Sequence, residues 1–214
     1  MQYAIFDMDG TLIDSMPAWI RLGGDYLRSK GIEPPANLRE KIASMTMLES
    51  GQYASRLGVP GTPEEIADEL IEWMARQYRE TIPERTGVRA YLQLCREAGV
   101  RMCVATATDR ALAETCLTRL ELLPFFEFLV SCEEIGKTKT SPDIYLLAAQ
   151  RLGAPPSEIA VYEDVLYPAE TAKKAGFRTV GVYDPASGEE NARNLRQFCD
   201  AFIEDWNSCN KVVL

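Results

Sequence analysis

The sequence predicts an α/β fold: a doubly wound, Rossmann-like parallel sheet with a helical module inserted near its start. Three observations carry this. Short, nearly all-apolar runs rich in β-formers recur along the chain and alternate with helical segments, as in a parallel sheet covered on both faces. From Gly87 onward a unit of helix, glycine and apolar run repeats. Residues 15–85 break that rhythm, with several helical stretches and no convincing strand.

Taken in order, the strand candidates are Tyr3–Phe6, Met102–Ala105, Phe128–Ser131, Ile159–Tyr162 and Thr179–Tyr183. "GVRAYLQLCREAG" leads into "VRMCVATAT", "SPDIYLLAAQRLG" precedes "SEIAVYED", and "YPAETAKKAG" leads into "FRTVGVYD". Gly99, Gly153 and Gly176 stand where a helix C-terminus takes a left-handed residue. In the interrupting region, "TPEEIADELIEWMARQY" opens with Thr62 as N-cap, Pro63 at the first helical position and Glu65 completing a capping box. Ile66, Leu70, Met74 and Tyr78 then fall on one face. Trp73, Tyr78 and Tyr91 read as core aromatics. The expected division is therefore a core of residues 1–14 and 86–214, and a helical module of residues 15–85.

Composition narrows the function. The chain has 214 residues, 46% hydrophobic and 26% charged, an ordinary globular balance. A net charge of −9 disfavours nonspecific binding to nucleic acid or an anionic membrane. There is no apolar run long enough for a membrane span and no basic region ahead of the first strand. The six cysteines form no C-x-x-C pair and read as reduced thiols, so the expectation is a cytoplasmic protein working as a monomer or weak dimer. The chain contains no histidine, which excludes Ser-His-Asp, Cys-His and His-ligated metal chemistry within one chain. Acid–base work must fall to carboxylates, Lys, Tyr or Cys.

In a parallel sheet, ligands gather at the C-terminal strand ends. After the first candidate strand come Asp7 and Asp9; after the second, Thr106 and Thr108. Beyond the third lie Lys137 and Lys139 in "GKTKTSPD", and after the fourth Glu163 and Asp164. Two carboxylates one residue apart repel and lose hydration as a site closes, a conflict that a cation resolves. Four carboxylates, a hydroxyl and a lysine on one edge are what an oxygen-ligated hard cation holding a phosphoryl group requires. Asp9-Gly10-Thr11 could alternatively be only a turn. Lys137 competes with Lys139, and spacing to Pro142-Asp143 favours Lys139.

Asp-x-Asp-Gly-Thr, a Thr ending the second strand, Lys-x-x-Pro-Asp, and Glu-Asp after the fourth strand resemble the four ordered motifs of the haloacid dehalogenase superfamily. The β-phosphoglucomutase-like and phosphoglycolate-phosphatase-like branch, with a helical cap after the first motif, is the most similar. The resemblance implies a Mg²⁺-dependent phosphomonoester hydrolase acting on a small phosphorylated metabolite. Asp7 would be the nucleophile, forming an aspartyl-phosphate, and Asp9 the general acid–base. Thr106 and the N–H of Ala107 would hold phosphoryl oxygens, and Lys139 would neutralise charge on the phosphate and Asp7. Asp7, the backbone carbonyl of Asp9, and Asp164 would ligate the metal. Glu163 would be either a ligand or a hydrogen-bond partner of a metal-bound water.

Two departures bear on the rival within the family, a sugar phosphomutase of the β-phosphoglucomutase type. Mutases of the branch carry a His just inside the cap, where this sequence has Trp19. No basic residue stands between Ile42 and Ser50, where the cap loop usually presents one to a second phosphate. Both favour a phosphatase. Trp19 and the Ser44–Glu49 loop, Met45 above all, are the candidate substrate-facing positions of the cap. A rival of another class, a non-catalytic binding module on this fold, is disfavoured by the intact set of motifs.

Overall fold

The computed structural model describes residues 2–42 and 45–212. The chain divides into two compact units: Met1–Asp14 with Pro83–Leu214, and Ser15–Ile82. The second junction thus falls just before Pro83, and residues 83–85 belong with the sheet.

The larger unit is built on six parallel strands: β1 (Tyr3–Phe6), β2 (Arg101–Thr106), β3 (Leu129–Ser131), β4 (Ile159–Glu163), β5 (Arg178–Val182) and β6 (Ala201–Ile203). Their order is β3-β2-β1-β4-β5-β6, so the chain winds outward from β1 on one side and from β4 on the other. The sheet changes winding direction between β1 and β4, leaving a crevice at their C-terminal ends. β6 was not among the expected strands. Its three residues, between Asp200 and Glu204, are too short for any periodicity to register.

In the smaller unit lie α1 (Met16–Ser29), α2 (Leu38–Ile42), α3 (Met47–Arg56) and α4 (Pro63–Glu80); among its described residues there is no strand. The expected capping box of α4 is present: Thr62 accepts from Glu65 N, while the Glu65 carboxylate accepts from Thr62 N at 2.8 Å. Thr46 and Glu49 repeat the device on α3. Ile66, Leu70, Met74 and Tyr78 are all buried. Trp73 departs from expectation. It is only half-buried, lining an open groove of about 500 Å³ with the Arg76 guanidinium 5.0 Å over its ring.

The remaining helices cover the sheet: α5 (Val88–Glu97), α6 (Arg110–Arg119), α7 (Cys132–Ile135), α8 (Asp143–Leu152), α9 (Leu166–Lys174) and α10 (Gly188–Phe198). Alternation along a strand assigns the faces. Ile5, Cys103, Ala105 and Val161 cluster with Ile144, Ala148 and Leu152 of α8. On the opposite face Phe6 stacks on Tyr162 at 4.3 Å, and the Tyr162 hydroxyl lies 2.8 Å from that of Tyr91 on α5. Helices thus pack on both faces. Gly99, Gly153 and Gly176 take the expected left-handed conformation. Cys95, Cys103 and Cys116 are buried, Cys132, Cys199 and Cys209 half-buried, and all six are free thiols. No described helix is long and apolar enough to cross a membrane.

In the helical unit, α3 meets the first turn of α4 through Gly51, where a Cβ would stand 2.2 Å from the carbonyl oxygen of Pro63. Backbone cannot yield as a side-chain tip can. Gly51→Ala should therefore cost about 1–3 kcal/mol by overpacking. Faster hydrogen exchange confined to α3 and α4 is the expected readout; unchanged protection there would show that the helices separate freely.

Candidate active site

The register places the first pair of carboxylates. Phe6 pairs with Tyr162 across the crevice, so Asp7 and Glu163 emerge side by side one residue later. Asp7 N still donates to Tyr162 O at 3.0 Å, which carries β-geometry just past the strand end. By alternation Asp7 follows Ile5 and Glu163 follows Val161, so both side chains point to the face covered by α8. From that face come Lys139, in the loop leading to α8, and Tyr145, on α8 itself. The Lys139 ammonium bridges Asp7 Oδ1 and Glu163 Oε1, the latter at 2.8 Å. The Tyr145 hydroxyl donates to the same Glu163 oxygen at 2.6 Å. All four side chains are buried. Lys137 instead pairs with Asp143 at 2.6 Å on the exposed surface.

Asp164 completes the crevice. Its carboxylate accepts from Thr11 Oγ1 at 3.3 Å and Ser187 Oγ at 3.2 Å. Gly10 makes room for it: φ is +84°, and a Cβ would stand 2.4 Å from Asp164 Oδ2. Any side chain there would be strained twice, by conformation and by collision. Met8, Leu12 and Ile13 anchor the turn, each wholly buried. Asp9 leaves the same turn half-buried and accepts from Thr108 Oγ1 at 2.7 Å. Thr106, the last residue of β2, is buried with its hydroxyl accepting from Thr108 N at 3.0 Å, and Ala107 beside it is exposed.

The charges do not balance. Burial raises the Asp7 carboxyl above its ordinary range, opposed by Lys139 and reinforced by Asp9. Burial likewise raises Glu163 to about 7, again against Lys139. Asp164 is raised well above its ordinary value by burial, then by Asp7, Glu163 and Asp184. Burial disfavours the charge on Lys139, but Asp7 and Glu163 outweigh it and hold the ammonium protonated. One cation thus faces three buried carboxylates. Ligand oxygens of Asp7, Glu163 and Asp164 lie within 4.8 Å of one another. A compact, all-oxygen, under-neutralised set of this kind fits a hard divalent cation.

The family model of haloacid dehalogenase-like hydrolases matches residues 4–182. Hexitol phosphatase B of Escherichia coli is 32% identical over 188 residues, 85% of this chain and 83% of that protein. The phosphorylated carbohydrates phosphatase of Thermotoga maritima is 29% identical, over 84% of each chain. Among solved structures, a β-phosphoglucomutase-like protein of Thermotoga maritima superposes with a TM-score of 0.83 at 27% identity, covering 97% of this chain and 95% of its own. The chain belongs to the haloacid dehalogenase-like hydrolases. It is an enzyme, a phosphatase of that family.

Of the residues expected from sequence, this phosphatase brings Asp7, Lys139, Glu163 and Asp164 into contact range, with Asp9, Thr106 and Ala107 on the adjoining strand ends. Trp19 and Met45 belong to the helical unit. The Trp19 indole N–H donates to the Tyr78 hydroxyl at 3.0 Å, and Met45 is half-buried just ahead of the Thr46 cap. Ser44 lies outside the described residues. Sequence reasoning missed Thr108 as the partner of Asp9, Tyr145 as the partner of Glu163, and Thr11 and Ser187 as donors to Asp164. The signals available were the position of Thr108 two places after Thr106 and that of Thr11 at the end of the Asp-x-Asp-Gly-Thr motif.

Lys139→Met would leave Asp7 and Glu163 buried without their cation, at a cost of about 3–5 kcal/mol near pH 8. Those carboxyls, with pKa values raised further above the unfolded range, would bind protons more tightly folded than unfolded. Stability then falls as pH rises, so the deficit relative to the parent should shrink toward pH 5. Urea unfolding in EDTA from pH 5 to 8 measures this. A deficit that does not change with pH would mean that Lys139 does not hold these two charges.

Proposed function

We propose that the enzyme hydrolyses phosphomonoesters of small sugars or polyols through an aspartyl-phosphate on Asp7, with Mg²⁺ as its cofactor. The observation that carries this reading is the Asp7–Lys139–Glu163 bridge at the sheet's switch point, with Asp164 beside it. Its relatives' names point to the substrate class: hexitol phosphatase, phosphorylated carbohydrates phosphatase, and the fructose-1-phosphate phosphatase YqaB of Escherichia coli, 29% identical over 83% of this chain.

In this reading Asp7 attacks phosphorus as the ester P–O bond breaks, and Asp9 delivers a proton to the leaving alkoxide oxygen. Asp9 then takes a proton from the water that attacks the aspartyl-phosphate, which frees Asp7 and yields phosphate. Thr108 aims the Asp9 carboxylate for both transfers. The Thr106 hydroxyl, the Ala107 N–H and the Lys139 ammonium act on the phosphoryl oxygens, with Lys139 also fixing the Asp7 carboxylate. Asp7, Asp164 and the Asp9 carbonyl would hold the metal, with Glu163 contributing directly or through water by whichever oxygen Lys139 and Tyr145 leave available. Mg²⁺ there supplies charge that screens the repulsion between a carboxylate and an anionic ester.

Ser15–Ile82 is read as the cap that selects the substrate, with Trp19 and Met45 as its substrate-facing positions. The lack of histidine, and of any basic residue from Ile42 to Ser50, supports hydrolysis over phosphoryl transfer between sugar positions.

Phosphate release from a panel of hexitol and hexose phosphates tests the reading. Activity should require Mg²⁺ and vanish in EDTA, and Asp7→Asn should reduce turnover by roughly 10⁴-fold or more, as for a removed nucleophile. Near-normal hydrolysis by folded Asp7→Asn would overturn the assignment.

The acid–base role has its own signature. Asp9→Asn should slow alkyl phosphates by roughly 10²–10⁴-fold, the loss expected of a general acid. Aryl phosphates, whose phenolate leaves without a proton, should lose much less in the first step. Equal losses on both would remove Asp9 from leaving-group protonation.

A further inference from the structure

The loop after β5 has no part in the chemistry described above, yet it reaches the cation site at two points. β5 ends at Val182 and is followed by Tyr183, Asp184 and a 3₁₀ turn, Pro185–Ser187, that runs into α10. Ser187 Oγ lies 3.2 Å from Asp164 Oδ2. One helical turn later, Asn191 Nδ2 donates to the backbone carbonyl of Asp164 at 2.7 Å, while its Oδ1 accepts from Leu166 N at 3.0 Å. Residues four apart share a helix face, so one surface holds the side chain and the main chain of the same aspartate.

The direction of the Ser187 hydroxyl is set from behind. Its oxygen also lies 3.5 Å from Asp184 Oδ2, and a hydroxyl has one proton for two carboxylates. The charge of Asp184 is met on its other oxygen: Arg85 Nη1 donates to Oδ1 at 2.8 Å, and Ala186 N donates to the same oxygen at 3.2 Å. The Arg85 guanidinium is fixed in turn by the Tyr183 carbonyl at 2.7 Å. With Asp184 neutralised by Arg85, the Ser187 proton is left for Asp164, at the shorter distance. Both aspartates are 2% exposed, so water offers little alternative.

We propose that Ser187, carried on the turn that Asp184 caps and Arg85 braces, is a positioning residue for divalent-cation binding: it orients the Asp164 carboxylate toward Asp7 and Glu163. The inference rests on the reading of Asp164 as a metal ligand. Without the hydroxyl, Asp164 keeps its main-chain clamp and the Thr11 donor to Oδ1 but loses the donor that fixes Oδ2. Partners of this kind typically contribute 10–100-fold to metal affinity.

The test is Mn²⁺ binding to the substrate-free full chain, followed by electron paramagnetic resonance, for Ser187→Ala, Ser187→Thr and Asp164→Asn. Each variant is first checked for parental unfolding temperature in EDTA. Ser187→Ala should bind Mn²⁺ about tenfold or more weaker, and Ser187→Thr, which restores the hydroxyl, should stay within about threefold of the parent. If Asp164→Asn loses binding while Ser187→Ala does not, the positioning role is overturned and Asp164 remains a ligand. If Ser187→Thr is as weak as Ser187→Ala, the hydroxyl is not the agent and the inference also falls. If Asp164→Asn binds as the parent does, the ligand assignment fails and takes this inference with it.

Discussion

The Lys139 ammonium, buried between Asp7 and Glu163, is the interaction on which the rest of this structure depends. Taking even one carboxylate out of water costs several kcal/mol, and here three are buried together. Lys139 offsets part of that cost, and the Tyr145 hydroxyl offsets a little more at Glu163. Burial first, and the neighbouring carboxylates after it, displace all three carboxyls upward, to about 7 for Glu163. A site in that condition has two ways to relax. It can take up protons, or it can take up a cation that expels them. The second keeps the carboxylates charged, so the same imbalance favours a hard cation over protons.

Topology explains why so much charge can be gathered. Strands β1 and β4 are separated by more than half the chain, yet the reversal of strand order makes them neighbours with Tyr3 opposite Ile159. The odd and even positions of two parallel strands then do the sorting. Ile5 and Val161 pack on α8, and the next residues of the same parity, Asp7 and Glu163, emerge just beyond the end of that packing. Lys139 reaches them because it sits in the loop that delivers the chain to α8, not because it follows a neighbouring strand. The core and the charged site are consecutive turns of one alternation.

That origin decides what could be seen in the sequence. Apolar runs, helix-ending glycines and the Thr62–Glu65 box are local, and each is legible from residues a few places apart. The ordered set Asp7, Asp9, Thr106, Lys139, Glu163 and Asp164 was legible because a parallel sheet gathers strand ends whatever the strand order. Spacing also separated Lys139 from Lys137, which in the structure pairs with Asp143 outside the site. Lateral partners were not legible. Tyr145, Thr108, Thr11 and Ser187 acquire their roles from which strands and helices lie side by side, and no interval in the chain encodes that. β6 escaped for the opposite reason, being too short to leave a pattern, and Trp73 because its apolar ring says nothing about the groove it lines.

The junction between the two units is fastened within the larger one, next in the chain to the turn that carries Asp7 and Asp9. The outgoing and returning segments are pinned side by side within the larger unit: Asp14 N donates to Pro83 O at 2.9 Å, and Arg85 N donates to Leu12 O at 2.9 Å. Ile13 and Glu84 form an antiparallel bridge between them. The chain therefore leaves the sheet and re-enters it at one place, directly behind the turn that carries Asp7, Asp9 and Gly10. Every residue of the buried charge cluster lies on the sheet's side of that clasp. Arg85, one residue beyond the bridge, ties this junction to the site. Its backbone N–H belongs to the clasp, while its guanidinium braces Asp184 and so the turn that carries Ser187 to Asp164.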